Sequence, residues 1–571
     1  MSMWLVLVWL GVLAIPLGLV FLGAMTATRS LWQHTPQLAP LLATVGLALA
    51  AWLTFVAYWV APAAGLVAAS VLLGGAIVAV AHGGVWRRWR EAVPVLALMA
   101  GAITFAIAFS YLWGAATDPY SVVAGRFFHF LLPSDNTIPM LFADKLALGQ
   151  STTLLLGDWN GGDRPPLQTG FELLVSPVVA VAQAISGLTP VGLGGTLPLG
   201  ASFAVDVLSQ FLWLPVGYSL LRLLRFRAWV AIGALVFATV VPTILVDSVY
   251  TWPKMLSAAL VLAALGFLLA TRQTTTGALW PFVFAVISAT FAVLAHGAAA
   301  FAIPALVIVG LVSLRGRGIR ASFSPIALGA VAGILLYAPW FIYQRFTDPP
   351  GDRLLKWHLA GWVPVTQDSF ADVLVAQYSA LPFRDLVGNR LANLGTVFGA
   401  DQFYRLADPN VNPFVFLRVV DWTSTAFALG VIAVGCLVAM IAWNLARRRR
   451  LDSAGRQRLL IVGAMLVCIV VWVIALFSAN AAIVAQGSHA WILVLATVPF
   501  AWLLERVPRL ALPLVGVQAV GLMVVYFALL RPDAPQRFSP AALVVGAAAL
   551  AFTLVVPMLL ARRSGVRHGA A

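Results

Sequence analysis

The chain has 571 residues, 62% hydrophobic and 10% charged, with a mean hydropathy of +0.96. A soluble protein of this length cannot cover so much apolar surface without aggregating, so composition excludes that class. The net charge of +15 does not point to nucleic acid. The basic residues gather in short loops between apolar runs, the positive-inside pattern of a polytopic membrane protein.

Apolar runs of about 20 residues, enough to cross roughly 30 Å of hydrocarbon, recur from end to end. In chain order they predict about fifteen spans, at 3–24, 39–58, 62–82, 93–113, 200–221, 228–246, 254–271, 278–295, 298–314, 323–343, 420–444, 459–478, 487–504, 510–529 and 540–561. The first run lacks the basic n-region and small-residue cleavage site of a removed leader, so it is expected to stay. Cys436 and Cys468 fall inside apolar runs and read as packed helix residues rather than a disulfide.

With the N-terminus outside, the cytoplasmic loops hold Arg29, Arg87, Arg88, Arg90, the Arg222/Arg225/Arg227 cluster, Arg272 and Arg315/Arg317/Arg320. Arg447 to Arg450, Arg456, Arg458, Arg506, Arg509 and the tail Arg562/Arg563/Arg567 fall on the same side. Among acidic residues only Glu91, Asp452 and Glu505 join them. Acidic residues do not set topology. Their gathering on the opposite face asks for another cause, and a catalytic or ligand-binding outer surface is one.

Two long segments are then external, 114–199 and 344–419, and loops this long among short turns are usually functional. The apolar stretch Gly170 to Gly187 is expected to lie in or dip into the outer interface, because a crossing there would put the Arg222/Arg225/Arg227 cluster outside. The chain divides into three extra N-terminal helices (1–92), a core (93–345) containing the first extracytoplasmic loop, a second such loop (346–419) and C-terminal helices (420–571).

In the first external segment Asp135 and Asn136 precede the apolar stretch Ile138 to Leu148, a place where Asp often caps a helix. That role and a chemical one can coincide. Next comes Asp158-Trp159-Asn160-Gly161-Gly162-Asp163-Arg164-Pro165-Pro166. Its glycines permit unusual φ and its prolines stiffen the residues after them, so alone it reads as a turn. Asp247 ends its span and is followed by Tyr250, Trp252 and Lys254; capping the next helix and binding a ligand suit it equally. His296 and His489 stand at predicted outer helix ends, where interfacial hydrogen bonding is the ordinary role. The second segment carries Lys356, Trp357, His358, Trp362, Asp368, Tyr378, Asp401, Tyr404 and Asp408. Aromatics beside carboxylates suit carbohydrate stacking and also interfacial anchoring. No His/Cys spacing suits zinc, and there is no P-loop.

Ser-Asp-Asn at 134–136, then FADKLALG, DRPPL and an interfacial helix, resembles the first external loop of the GT-C glycosyltransferases. It is most similar to their protein O-mannosyltransferase and aminoarabinose-transferase-like branch. The order of later elements agrees over roughly 93–345: a basic cytoplasmic turn, the Asp247 to Lys254 stretch, and the hairpin at His296 before Pro304. The resemblance implies an all-α polytopic fold with a GT-C-like core and interfacial helices in its two long extracytoplasmic loops. It implies transfer of a sugar from a polyprenyl-phosphate-linked donor to an extracytoplasmic acceptor (a glycan, lipid or protein), with inversion at the anomeric carbon. The setting implied is a bacterial-type cytoplasmic membrane, with the site on the extracytoplasmic face.

By the same resemblance Asp135 is the general base, Asp247 a second carboxylate, and Arg164 and Lys254 hold the donor phosphate. Asn136, Asp158, Asp163, His296 and Trp362 are candidate substrate contacts. The family's acidic pair is Asp135-Asn136 here, the lysine often preceding Pro-Pro is Arg164, and no Asp-x-Asp motif is present. A divalent cation thus stays open, without its usual motif. One alternative is a polysaccharide polymerase or ligase using lipid-linked oligosaccharide. Another is a lipid or polysaccharide transporter or flippase, which should carry charges at mid-membrane on broken helices. The predicted spans are nearly free of acidic residues, Asp206 being the main exception, which favours a surface enzyme.

Overall fold

The computed structural model describes residues 2–83, 89–112, 118–126, 134–186, 198–273, 279–316, 319–407, 413, 416–417, 424–447, 451–479, 489–528 and 538–568. Among them regular structure is helical, with one isolated bridge between Leu156 and Trp159. In the described residues 13 helices are long and apolar enough to cross a membrane, or 14 with one bent pair. Arg87, Arg88, Arg317, Arg448 to Arg450 and Asp408 lie outside the described residues, as do the side chains of Arg90, Glu91, Arg320, Asp401, Tyr404 and Arg567. Cys436 and Cys468 are buried and free, as expected of packed helix residues.

Most expected spans recur. The run at 228–246 is not one straight helix: Ala228–Thr239 and Pro242–Val249 meet at 77°. Pro242 has no N–H to donate and forces Val241 out of the helical region, so the ladder breaks there. The 278–295 run is a shorter helix, Leu279–Ala295, of 17 residues. The 487–504 run is His489–Arg506, whose 18 residues reach about 27 Å at 1.5 Å per residue.

The stretch expected at the interface forms the helix Leu167–Ser186, and its segment Leu167–Ile185 is itself long and apolar enough to cross. Gly187 is not among the described residues. Gly170 sits so close to the middle of Ala39–Val60 that a Cβ would stand 2.4 Å from the Ala51 carbonyl oxygen. Six residues on, Ser176 and Tyr58 share a 2.8 Å hydrogen bond. From Gly170 to Ser176 the helix therefore climbs from the middle of Ala39–Val60 toward the Val60 end.

The N-terminal helices are not an appendage. Phe55 packs its ring against Phe142, Trp340 and Tyr343, at 5.6, 6.2 and 6.0 Å between centroids. Trp59 Nε1 donates to Thr347 Oγ1 at 3.2 Å. These contacts make Ala39–Val60 the floor on which both long loops rest.

The two ends of the bundle differ in their charges. At one end Arg458 pairs with Glu505 at 2.8 Å and donates to the Leu224 carbonyl, and Arg225 donates to Ser453 Oγ. The expected cytoplasmic clusters at 222–227, 447–458 and 505–506 thus share one face. His489–Arg506 leads from that face to the opposite one, where His489 meets Asp247.

Candidate functional site

Asp135 lies in the short 3-10 turn Ser134–Thr137 ahead of Ile138–Ala147. That helix is capped by Thr137 with no side-chain cap bond, so Asp135 is not its N-cap. Its carboxylate instead accepts from Arg164 Nη2 at 2.5 Å, with the two side chains only 11% and 12% exposed. Tyr250 Oη donates to the second oxygen at 3.5 Å. Burial, then the Asp135 charge, pushes the Tyr250 phenol above its ordinary value, so it remains a donor.

Arg164 is presented by local rules. Asn160 and Asp163 form a capping box around the turn Gly161–Asp163, with the Asn160 N–H donating to Asp163 Oδ2 at 2.9 Å. Arg164 itself is extended, as the residue before Pro165 must be. Gly162 donates to Asp348 Oδ2 at 2.8 Å, and a Cβ there would stand 2.5 Å from the Asp348 carbonyl. Only glycine lets the second external segment approach this closely. Tyr343, which shares a hydrogen bond with Thr152, closes the same junction.

Two cations face one indole. The Arg164 guanidinium lies 5.8 Å from the Trp252 ring and 4.4 Å from the Trp159 ring, while Lys254 Nζ lies 3.8 Å over Trp252. Lys254 is 5% exposed. Such contacts let an aromatic wall carry charge where water is scarce. His296 packs edge-on against the same Trp252 at 6.2 Å. Its Nδ1 accepts from the Ala298 N–H at 3.0 Å, which leaves the proton of the neutral ring on Nε2. Burial, reinforced by Lys254 and Arg164, holds the ring well below the usual histidine range. Nε2 is buried with no hydrogen-bond partner among the described residues.

Asp247 does not cap the helix beginning at Lys254. It sits in the last turn of Pro242–Val249 and meets His489 Nε2 at 2.5 Å, both side chains 1% exposed. The sequence gives no local signal for this pairing, since 242 residues separate the partners.

The other candidates scatter. Asn136 is buried beside Asp135, and neither amide atom has a hydrogen-bond partner among the described residues. Asp158 lies on the surface and pairs with Arg353 at 2.7 Å, which lowers its carboxyl pKa. Arg353 stacks 4.2 Å over Trp159, tying the second segment to the first. Asp163 is occupied by its capping box; burial raises its pKa against the pull of the Asn160 amide. Trp362 belongs to the Lys356 turn through its backbone N–H, with no hydrogen bond or ring contact to the Asp135 cluster among the described residues. Sequence reasoning also passed over Trp159 and Trp252 as walls and Arg353 as the tie. No group of three or more His, Cys, Asp or Glu that could hold a metal occurs among the described residues.

No protein-family model matches the chain, and no curated protein does. Among solved structures, ArnT from Cupriavidus metallidurans bound to undecaprenyl phosphate is 17% identical over 78% of this chain and 70% of its own, with a TM-score of 0.41. Its apo state is 16% identical over 77% and 72%, with a TM-score of 0.37. The apo oligosaccharyltransferase of Archaeoglobus fulgidus is 13% identical over 81% of this chain and 56% of its own, also at 0.37.

Proposed function

We propose that this chain is a membrane glycosyltransferase that moves a sugar from a polyprenyl-phosphate donor to an extracytoplasmic hydroxyl acceptor, inverting the anomeric carbon. The observation that carries this reading is the Asp135–Arg164 pair, a largely buried carboxylate and guanidinium beside Lys254 and two indole walls. Transfer from a sugar phosphate needs a carboxylate for the acceptor proton and cations for the departing phosphate. Both are present within one cluster.

The guanidinium offers five donors in a planar fork, so an arriving phosphate competes with Asp135 for it. As Arg164 turns to the phosphate, the carboxylate is released toward the acceptor. The acceptor oxygen then bonds to the anomeric carbon, the carbon–oxygen bond to phosphate breaks, and Asp135 takes the acceptor proton. The phosphate leaves with the bonding pair, held by Arg164, by Lys254 and by the Nε2–H of His296. Asn136, whose buried amide has no hydrogen-bond partner among the described residues, would bind a sugar hydroxyl. The isoprenoid chain has a groove of about 660 Å³ between Lys254–Gln273, Leu279–Ala295, Ile303–Leu314 and Ile319–Ile342. Its lining includes Val293 and Ile303, three residues before and seven after His296.

The transporter reading gains one observation, the 77° break before Pro242. The half-helix after the break, however, delivers Asp247 to His489 and then leads directly into Tyr250, Trp252 and Lys254, as a binding wall requires. The test is turnover in lipid nanodiscs with a panel of polyprenyl-phosphate sugars. Protein-dependent release of polyprenyl phosphate from one of them is expected. Failure to consume any donor, together with failure to bind bare polyprenyl phosphate, would overturn the proposal.

A further inference from the structure

The turn Thr251-Trp252-Pro253-Lys254 carries much of the site, yet its backbone is costly. Thr251 has φ +57°, the left-handed region that a β-branched residue avoids. Something must hold it there. Two glutamines do, both fully buried: Gln168 at the start of Leu167–Ser186 and Gln210 at the end of Leu199–Gln210.

Their order is fixed by chemistry. Gln210 Oε1 accepts from the N–H groups of Met255 at 2.9 Å and Leu256 at 3.0 Å. Those belong to the first turn of Lys254–Gln273, where helical N–H groups have no partner of their own. With its oxygen so engaged, Gln210 presents Nε2, which donates to Gln168 Oε1 at 2.7 Å. Gln168 then presents its own Nε2, which donates to the Thr251 carbonyl at 2.8 Å. Backbone groups with a single polarity stand at both ends of the relay, so neither amide can flip. The relay reaches the turn from both sides, at Thr251 and just past Lys254. Gln168 also stands four residues beyond Arg164, and Thr251 Oγ1 approaches the Asn136 carbonyl at 3.5 Å.

We propose that Gln168 and Gln210 are positioning residues, an amide relay that holds the strained turn so that Lys254 and Trp252 meet the Arg164–Asp135 pair in register. The inference rests on the reading of this cluster as the donor-phosphate site. It requires amide chemistry at both positions. A carboxylate at 168 still accepts from Gln210 but turns a second oxygen against the Thr251 carbonyl, and only its protonated form can donate there.

Two variants and two readouts test it. Position 168 is fully buried, with Asp206 hydrogen-bonded to the Gln168 side chain and Glu172 one turn on, so a carboxyl there ionises only at alkaline pH. At that pH Gln168→Glu should lower kcat at least tenfold, with a smaller change in KM for the donor. Its activity relative to wild type should rise as pH falls and the carboxyl protonates. Gln210→Leu should lower kcat similarly at every pH. Independently of any turnover, hydrogen–deuterium exchange at Met255 and Leu256 should accelerate at least tenfold in Gln210→Leu, while amides from Ala258 to Leu268 keep wild-type protection. Wild-type kcat in both variants would overturn the proposal, as would unchanged exchange at Met255 and Leu256. A Gln168→Glu loss indifferent to pH would also overturn it. If the wild type turns over no polyprenyl-phosphate sugar, the donor reading fails by itself, and the exchange measurement still decides whether the relay holds the turn.

Discussion

The two faces of the bundle carry cations under opposite rules. On the face of the short basic loops, Arg225, Arg227 and Arg447 are exposed, and Arg447 and Arg506 lie over the Trp443 and Trp502 rings at 4.0 and 4.8 Å. Charges of this kind anchor a membrane protein and set its orientation, each needing only water and an aromatic ledge. On the opposite face Arg164, Arg353 and Lys254 are shielded from water, and each lies over an indole. Removing a charge from water is expensive unless partners replace the hydration. A fold that does so repeatedly within one cluster has gathered groups that a substrate can use, whereas the other face buries a single paired cation, Arg458 with Glu505, among its described exposed ones.

This contrast can be broken by substitution. The largest effect is expected at Asp135. Asp135→Asn keeps size and removes the basic carboxylate, so kcat should fall by roughly two to four orders of magnitude, and Tm should also fall because Arg164 loses its largely buried partner. Near wild-type transfer by this variant would leave the mechanism without its base. Arg164→Ala should come next, at about 10²- to 10³-fold in kcat, the usual scale for one charge-stabilising donor. Arg164→Lys should recover part of that, since it keeps the charge and loses the fork. Full transfer activity and donor affinity in both variants would reduce Arg164 to a loop residue.

The Asp247–His489 pair should speak mainly through stability. His489→Leu leaves a buried carboxylate without its partner, which costs about 3–5 kcal/mol. Thermal unfolding in nanodiscs should show the drop, and an unchanged Tm would mean that the pair is not formed. The smallest effect belongs to the other face. Arg225→Ala removes an exposed side chain that donates to Ser453 Oγ, so stability should shift by less than about 0.5 kcal/mol and kcat by less than about twofold. A large loss of transfer there would erase the distinction between the faces.

Much of this architecture was legible because a span needs about 20 apolar residues and little else. The basic clusters that share one face were legible for a similar reason, since orientation depends on local loop charge. The break before Pro242 was hidden by its own composition: Val240 and Val241 continue the apolar run, and hydropathy is blind to a missing N–H. Asp135 and Arg164 were singled out through resemblance to a family's loop, and 29 residues of chain separate their side chains. No spacing rule reports such a contact. His489 read as an ordinary interfacial histidine because its partner lies in a distant helix. Gln168 and Gln210 carried no signal at all, being neutral residues on apolar helices whose meaning lies in one strained φ at Thr251. The first three helices had no functional account in the sequence, and one of them, Ala39–Val60, proves to be the floor under both loops.

The central claim is that Asp135 acts as a base in a single displacement and does not itself attack the sugar. The most direct test is the anomeric configuration of the product, read by nuclear magnetic resonance from a polyprenyl-phosphate donor of known configuration. One displacement predicts a product of opposite configuration to the donor, with no sugar attached to the protein. Retained configuration, with a glycosyl adduct trapped on Asp135, would show a carboxylate nucleophile and contradict the account.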